Sequence, residues 1–422
     1  RLFNKLSRSF GGHRLTYART LKPIFFTDAV NAMKLNGEAK AGMITDRLGS
    51  YNSGYDKFDL FDLNPQNVTS FHTSAATTTH ILIEIDLGTS GYDIDYCALL
   101  NHNLATAEGT IRITHAAGPI SAAGGGTTVG DSSTPPVEVL NADTNPLSGA
   151  VLDETITAIE TDWDVTDGSV FTVGEYALIT NNDPATEVVA ITGIAANTLT
   201  VVRAQQGTSA LTFDSAFPLR KYNCISPDAD GDTIATFASS SDRYWAIEII
   251  PSDGAFSATD LTMGAFMIGE KYSLPLSPDM NISHPFDTSG VNISVSVSGK
   301  RHSSPRWIKA NNITSGAGNY IPFRLGIGAK QIPGREGYSF NYSTLADTDL
   351  LPSDLGTPSG NSFVVNVMSK TGWNATPLIM GVDSTSTTQG DYMFCRFREN
   401  SFVITQMSAK AYSTAFSVDQ EF

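Results

Sequence analysis

Alternation of hydrophobic and polar positions runs through most of the chain and predicts β-strands. Residues 81–87 and 291–297 show the period of two that is typical of a strand with one buried face. The helical spacing of three and four residues is scarce, and one short helix is predicted at residues 28–34. Further strands are predicted at residues 110–114, 243–250, 261–268, 363–368, 392–398 and 402–407.

The arrangement of these strands indicates several β-domains. Clusters of Gly, Pro, Asn, Asp and Ser separate them, as in β-sandwiches and barrels. A chain of 422 residues exceeds the size at which one core stops growing, so two or three domains are expected. Residues 121–136 are of low complexity and are expected to form an exposed loop that introduces a separate unit.

The charge balance argues against a nucleic-acid partner. The formal net charge is -16, and no run of Lys and Arg offers phosphates a cationic footprint. Charged residues make up only 17% of the chain, so the surface is expected to be polar with little charge. No apolar run approaches the ~18 residues that a membrane span requires.

The first twenty residues are a basic exception, and they lack the apolar core and the cleavage site of a secretory signal. They are expected to form an ordered or docking arm. Aromatic and arginine side chains anchor many interfaces, so this end is expected to dock into a neighbouring subunit, with a disordered terminus as the alternative. The side chains concerned are Arg14, Tyr17, Arg19, Phe25 and Phe26.

The three cysteines, Cys97, Cys224 and Cys395, lie far apart in apolar, strand-like segments without zinc-binding spacing. Free buried thiols are favoured over the one disulfide that three cysteines allow.

A run of alternating carboxylates is the weak candidate for a metal site. Asp228, Asp230 and Asp232 have a spacing that can bring oxygens together on a hard cation such as Ca²⁺. The position that supplies the bidentate Glu of an EF-hand is Ser239 instead. The sequence therefore favours an acidic turn between strands, and no metal or other cofactor is expected.

No group of residues stands out as catalytic, so the chain is not expected to be an enzyme. His102 lies between Asn101 and Asn103, where a strand-end turn whose side chains satisfy backbone groups is favoured over a ligand or general base. Carboxylate pairs that could hydrolyse glycans are abundant, but nothing marks one of them. Two examples are Asp93 with Asp95 and Asp162 with Asp164.

Residues 176–180, 187–191 and 198–210 predict three short strands with tight connections. This pattern resembles a small module frequent in phage tail and baseplate proteins, in which a strand ending in an Arg precedes a Gly-Thr turn. Arg203, Gly207 and Thr208 occupy the matching places. Many relatives have a Gly after the Arg, whereas this chain has Ala204, a departure at which the local turn can differ.

Two further resemblances flank this module. Residues 82–88, 94–104 and 110–114, followed by 242–251 and 261–270, resemble the opening and closing strands of a discoidin-like, galactose-binding-like jelly roll of phage tail proteins. The small barrel is therefore expected to be an insertion into a discontinuous jelly roll. The strands after residue 276 are similar to the last domain of phage tail-tip proteins of the distal-tail type.

The sequence thus predicts an all-β fold: a multi-domain β-sandwich or jelly roll with an inserted small β-barrel and a C-terminal β-sandwich or barrel domain. The predicted units are an amino-terminal arm (1–69), the jelly roll (70–136 and 223–275), the inserted barrel (137–222) and the C-terminal domain (276–422).

The resemblances imply a structural protein of the virion, in a ring that connects the tail tube to the hub and to peripheral proteins. The implied partners are further copies of the chain, as a hexamer or trimer, tail tube and tail hub proteins, and receptor-binding proteins. The implied location is the phage tail tip, after assembly in the host cytoplasm. The alternative is a carbohydrate-binding adhesion module, which would need exposed aromatic rings among Trp163, Trp245, Trp307 and Trp373.

Overall fold

The computed structural model shows a chain built mostly of antiparallel sheets. Strands make up 52% and helices 8%, which confirms the predicted all-β, multi-domain class. The structure describes residues 22–72, 80–88, 92–121, 126–128, 137–140, 142–144, 147–171, 173, 175–180, 186–205, 208–222, 224–227, 229–251, 256, 261–279, 282, 286–287, 291–295, 301–305, 335–353, 360–386, 391–399 and 401–421.

The elements follow one another in chain order. The first are β1 (Ile24–Asp28), α1 (Ala29–Leu35), β2 (Ile44–Leu48), α2 (Lys57–Leu60), β3 (Thr69–Phe71), β4 (Ile81–Asp86), β5 (Ile94–His102), β6 (Gly109–Ala116) and β7 (Thr127–Thr128). The next are β8 (Val137–Leu140), β9 (Ala142–Thr144), β10 (Leu147–Val151), β11 (Asp162–Asp164), β12 (Tyr176–Thr180), β13 (Thr186–Ala195), β14 (Thr198–Gln205), β15 (Pro218–Lys221), β16 (Cys224–Pro227), β17 (Gly231–Ser240) and β18 (Tyr244–Pro251). The last are β19 (Leu261–Ser273), β20 (Phe286–Asp287), β21 (Val291–Val295), β22 (Arg301–Pro305), β23 (Arg335–Ala346), α3 (Asp347–Leu350), a π-helix (Val364–Met368), β24 (Leu378–Gly381), β25 (Tyr392–Phe397), β26 (Ile404–Ser408) and β27 (Ala411–Gln420).

The segment at residues 363–368, predicted as a strand, is helical, so that prediction is wrong. Phe363, Val367 and Met368 are buried, and their spacing places them on one face of the π-helix. The three valines of the π-helix favour a strand by propensity, but packing of this face against the C-terminal core overrides that preference. In the described residues no helix is long and apolar enough to cross a membrane.

Two sheets packed face to face form the jelly roll. A seven-stranded sheet has the order β2-β4-β18-β6-β16-β9, with β7 beside β6. It faces β19, β5, β17 and β8, which form one end of a twelve-stranded sheet, with β3 beside β19. Alternate side chains of both sheets fill the core between them, including Ile83 and Trp245 from one sheet and Leu99 and Phe266 from the other.

A six-stranded sheet forms a separate unit with its own core. Its order is β10-β15-β12-β13-β14-β11, and the indole of Trp163 is fully buried within it. The hydrogen-bonded strands of this inserted unit run from Leu147 to Lys221. Residues 137–144 were predicted to belong to it, but β8 pairs with β17 and β9 pairs with β16, so these strands belong to the jelly roll. Within the predicted loop 121–136, the two residues of β7 pair with β6.

The C-terminal unit occupies the other end of the twelve-stranded sheet. Its strands have the order β20-β23-β27-β25-β24, with β26 beside β27. Aromatic rings dominate its core, where the ring centroids of Phe363 and Phe416 lie 5.1 Å apart and those of Phe340 and Phe416 lie 5.5 Å apart. Strands β21 and β22 pair with each other in a separate hairpin.

Strand β1 joins the two ends of the twelve-stranded sheet. It pairs antiparallel with β19 on one side and with β24 on the other. The ring of Phe25 enters the C-terminal core, where its centroid lies 5.4 Å from that of Phe363. Phe26 packs on the opposite face of the sheet, with its ring centroid 5.0 Å from that of Tyr96. Phe25 and Phe26 are both fully buried, so the prediction that they dock into a neighbouring subunit is wrong. Arg14, Tyr17 and Arg19 lie outside the described residues.

Asp28 ends β1 and begins the one helix that the sequence predicts. Its side chain accepts a hydrogen bond from the Asn31 N–H at 2.8 Å, which is the usual role of an N-cap. The same carboxylate accepts from the Ile268 N–H of β19 at 3.2 Å. The helix predicted at residues 28–34 is thus confirmed, and its first residue is attached to the jelly roll.

The three cysteines are free and buried, as predicted. Burial raises the pKa of the Cys97 and Cys224 thiols to about 12, so both are protonated at neutral pH.

We expect Phe25→Ala to lower the free energy of unfolding by about 3–5 kcal/mol, because it removes a buried ring from the core that β1 shares with the C-terminal unit. Urea unfolding followed by tryptophan fluorescence measures this loss. Phe58→Ala is the control, because Phe58 is 63% exposed and its truncation should cost less than about 0.5 kcal/mol. Equal losses in the two variants would contradict the packing role of Phe25.

Candidate functional site

A buried ionic network lies where the inserted unit meets the jelly roll. Arg112 on β6 lies opposite Glu248 on β18, and its Nε and Nη2 donate to Glu248 Oε2 at 3.0 and 2.6 Å. Arg112 Nη1 lies 3.3 Å from Oε1 of Glu175, which precedes β12 of the inserted unit. His80 Nδ1 lies 2.6 Å from Glu248 Oε1. One guanidinium therefore links carboxylates of two units.

The charges of this network are withdrawn from solvent. The side chains of Arg112 and Glu175 are each 3% exposed, and that of Glu248 is 1% exposed. Burial raises the pKa of Glu248, but hydrogen bonds and charges from His80 and Arg112 outweigh burial and lower this pKa to about 2. Burial also opposes the charge on Arg112, but Glu248 and Glu175 outweigh it and raise the guanidinium pKa. Arg112 and Glu248 therefore stay ionised at neutral pH.

Further hydrogen bonds hold the same junction. The carbonyl of Glu175 accepts from the Ile191 N–H at 2.8 Å, which attaches Glu175 to β13. Lys221 of β15, which pairs with Ala177 of β12, donates from Nζ to the Pro251 carbonyl of β18 at 3.0 Å. Charges that are buried and paired in this way orient two units relative to each other, and they are poorly placed to exchange protons with a substrate.

Asp230 and Asp232 attach the start of β17 to β5 and to the loop that follows β5. Asp230 Oδ1 accepts from the Thr106 N–H at 2.9 Å, and Asp232 Oδ1 accepts from the Asn101 N–H at 2.9 Å. Asp228 lies outside the described residues. The part of the chain that the structure describes holds no group of three or more His, Cys, Asp or Glu side chains suited to a metal ion. Asp230 and Asp232 are thus hydrogen-bond acceptors for backbone groups.

Residues Asn101, His102 and Asn103 form a strand-end turn of the kind that the sequence favours. Asn103 Oδ1 accepts from the Thr262 N–H at 2.7 Å, and Asn101 Nδ2 donates to a backbone carbonyl at 2.6 Å. His102 Nε2 lies 2.9 Å from the hydroxyl of Thr233, and burial lowers the His102 pKa to about 4. The imidazole is therefore neutral at neutral pH and serves the local structure.

The predicted carboxylate pairs contribute to strand pairing. Asp162 and Asp164 share one face of β11 and accept hydrogen bonds from the hydroxyls of Thr200 and Thr198, at 2.9 and 2.6 Å. Asp95 accepts from the backbone N–H of Lys271 at 2.8 Å, and burial raises the Asp95 pKa to about 6. The carboxylates of Asp95, Asp162 and Asp164 therefore accept hydrogen bonds from a neighbouring strand.

Arg203 is the centre of a second buried pair, inside the inserted unit. Its Nε and Nη2 donate to the two carboxylate oxygens of Glu187, each at 2.6 Å, and its guanidinium lies 4.8 Å from the centre of the Trp163 ring. Thr208 Oγ1 accepts from the Val188 N–H at 3.0 Å, whereas Gly207 lies outside the described residues. Arg203 also donates to the carbonyls of Thr157, Glu160 and Leu211.

Ala204 keeps the conformation that a glycine would favour at this position. Its φ is 55°, in the left-handed region, and the β13–β14 pairing shifts register between Val188 and Ala190. The Ala204 N–H donates to Glu187 Oε1 at 3.1 Å, which holds the strained backbone in place. The departure from Gly therefore leaves a turn with a glycine-like backbone.

Comparisons with known proteins assign the chain to no family. No family model and no curated protein matches it. One solved structure aligned with it is botulinum neurotoxin type C, whose cell entry is described as dependent upon interaction with two ganglioside molecules. The identity is 6%, the alignment covers 95% of this chain and 94% of that chain, and the TM-score is 0.11. A TM-score this low does not indicate a shared fold.

The ionic network at the junction was not predicted from the sequence, although its strands carry a signal. Arg112 and Glu248 each interrupt an apolar strand at a position where alternation points outward, away from the jelly-roll core. A charged residue at such a position is ordinarily solvent-exposed. The burial of this pair follows from the inserted unit, which covers that face with Glu175.

We expect the stability of the protein to fall as pH is lowered from 4.5 towards about 2, because the unfolded state then binds a proton at Glu248 that the folded state does not. Glu248→Gln should flatten this part of the profile. At pH 7 it should cost about 3–5 kcal/mol, because Arg112 loses a charged partner. Urea unfolding at a series of pH values measures both effects.

Asp95→Asn is a control of opposite sign. The Asp95 pKa is raised from 3.8 to about 6, so between these pH values the folded state binds a proton at Asp95 that the unfolded state does not. The free energy of unfolding therefore gains from Asp95 as pH falls from about 6 to 3.8, and this gain is lost as pH rises through the same range. The Asp95→Asn variant should remove that gain and leave the loss of stability between pH 4.5 and about 2, which we assign to Glu248, unchanged. If Glu248→Gln does not alter the dependence of stability on pH between 4.5 and about 2, the assignment of this loss to Glu248 is contradicted.

We expect Ala204→Gly to raise the free energy of unfolding by about 1 kcal/mol, because Gly adopts a positive φ without the cost that a Cβ imposes. Ala190→Gly is the matched control, because Ala190 lies within β13 and glycine there should destabilise by about 0.5–1 kcal/mol. Thermal unfolding compares the two variants, and destabilisation by Ala204→Gly would contradict the left-handed turn.

Proposed function

We propose that this protein is a structural component of a bacteriophage tail tip or baseplate, in a ring that connects the tail tube to the hub and to peripheral proteins. The proposal starts from the resemblance of the jelly roll, the inserted module and the last domain to phage tail proteins. One structural observation supports it most: strand β1 makes the jelly roll and the C-terminal unit parts of one hydrogen-bonded sheet.

A continuous sheet suits a scaffold because it fixes the distance between two contact surfaces. Relative movement of the jelly roll and the C-terminal unit would break the pairing of β1 with β19 or with β24. It would also separate Phe25 from the C-terminal core and Phe26 from Tyr96. A ring protein must hold neighbouring proteins at set positions, and this construction serves that need.

The inserted unit adds a platform in this proposal. It is attached to the outer face of the seven-stranded sheet through the pair of Arg112 and Glu175 and through Lys221. Its own core does not depend on the jelly roll for apolar contacts. A unit that is independently packed and firmly oriented fits a docking position for peripheral virion proteins.

The carbohydrate-binding alternative draws less support from the aromatic side chains. Trp163 and Trp245 are fully buried in two different cores. Trp373 is 43% exposed, but it lies in the C-terminal unit beside Phe402, outside the jelly roll. Trp307 lies outside the described residues. The tryptophan that the jelly roll contributes is therefore part of its core, and we favour the structural role without catalytic activity or cofactor.

An electron-microscopy reconstruction of virions that carry this chain tests the proposed function. We expect density for it at the distal end of the tail, in several symmetry-related copies, with the inserted unit facing outward. An antibody raised against the purified protein should label the same end in negative stain. Label on the capsid, or glycan hydrolysis that a single Asp162→Asn or Asp95→Asn change abolishes, would overturn the proposal.

A further inference from the structure

The β26–β27 hairpin stands out from the rest of the described surface. Strand β26 is exposed at four consecutive residues, Thr405 to Ser408, so both of its faces meet solvent. Val403, which precedes the strand, and Met407 are each 63% exposed, and the pairing of β26 with β27 shifts register between Gln406 and Ser408. A strand exposed on both faces contributes little to the core of its own chain.

Strand β26 also has a free edge. It pairs with β27 on one side and with no other described strand. Its sequence, Ile-Thr-Gln-Met-Ser, contains neither a charged residue nor a proline, the two residue types that natural proteins place on edges to prevent pairing with another chain. The edge therefore offers unpaired backbone donors and acceptors to a second strand.

The charge of the hairpin indicates what kind of strand fits there. The chain carries a net charge of -16, so most contacts between two copies would bring carboxylates together. Residues 401–416 contain no Asp or Glu, and their one charged residue is Lys410 in the turn. Two copies meet here without the repulsion that opposes contact elsewhere, and a strand without acids suits a partner that has the same edge.

We propose that β26 is a self-association surface, at which β26 of a second copy of this chain adds antiparallel across a two-fold axis. Antiparallel pairing centred on Gln406 places this residue opposite its own copy, so the two side-chain amides can hydrogen-bond. Met407 then lies opposite Thr405 of the second copy. This pairing satisfies the backbone donors and acceptors of the edge and gives the exposed side chain of Met407 a cross-strand neighbour.

This inference goes beyond the proposed function, because a two-fold contact joins copies in pairs, whereas a ring closes through head-to-tail contacts. The two proposals fail separately. A tail-tip position in virions depends on none of the residues of β26, and pairing through β26 is measured on the purified full-length chain.

Cysteine cross-linking tests the register. Residues directly opposite in an antiparallel pair have Cα atoms about 4.5–5.5 Å apart, within the range that a disulfide spans. In Gln406→Cys, two thiols of two copies should lose two protons and two electrons to added diamide and form one intermolecular disulfide. A covalent dimer should therefore appear on a non-reducing gel within minutes and disappear on reduction.

Val202→Cys is the matched control, because Val202 is 48% exposed on a strand of the inserted unit. The unaltered chain is a second control, since its three thiols are buried. We expect neither to cross-link appreciably under the same conditions. Cross-linking of Gln406→Cys no faster than that of Val202→Cys would overturn the proposed register.

Sedimentation velocity provides a measurement that does not depend on the cysteine variant. The unaltered chain should dimerise with rising concentration, and Met407→Asp should raise the dissociation constant at least about tenfold, because it places a carboxylate in the pairing surface. Val202→Asp should leave it unchanged, and thermal unfolding should show that both variants are folded. A chain that stays monomeric, or a Met407→Asp variant that dimerises as the unaltered chain does, would overturn the proposal.

Discussion

The pairing of β1 with two different strands is the interaction on which the rest of the structure depends. Five residue pairs join it to β19 and three join it to β24, which turns two groups of strands into one sheet. Close approach of β1 and β19 requires Gly269, because a Cβ there would lie 1.9 Å from the Thr27 carbonyl oxygen. Alternation along β1 then delivers Phe25 to one layer and Phe26 to the other, so a single strand contributes to two cores.

Buried arginines fix the position of the inserted unit, which contacts the jelly roll across the face of a sheet rather than through a shared strand. Arg112 contacts carboxylates of both units, and Arg203 organises the interior of the unit that is attached. Burying such ions costs desolvation energy that their attraction largely offsets, so their main contribution is to orientation. The planar fork of Arg suits this role because it fixes direction as well as distance.

Much of the strand pattern could be predicted from the sequence, because a half-buried strand shows its alternation locally. The predicted strands at 110–114 and 243–250 correspond to β6 and β18, and Asp28 begins the one helix expected. The π-helix was missed, since its valines favour a strand until the C-terminal core fixes which face is buried. The pair of Arg112 and Glu248 joins residues 136 positions apart, and no local pattern records which distant side chain covers an outward-facing position. The same limit applies to Phe25 and Phe26, whose surroundings come from strands hundreds of residues later.

The position of β1 in the chain has a consequence for how the protein is made. The strand is synthesised before either of its partners, and β24 follows it only after the jelly roll and the inserted unit have left the ribosome. Until then the sheet has an open edge at β1, on the side that later pairs with β24, and such an edge is the kind of surface that aggregates during slow folding. Contacts so distant in sequence also favour slow final closure of the sheet. Chains that end before residue 378 would keep this edge open permanently, which makes about the last tenth of the sequence a requirement for solubility as well as for shape.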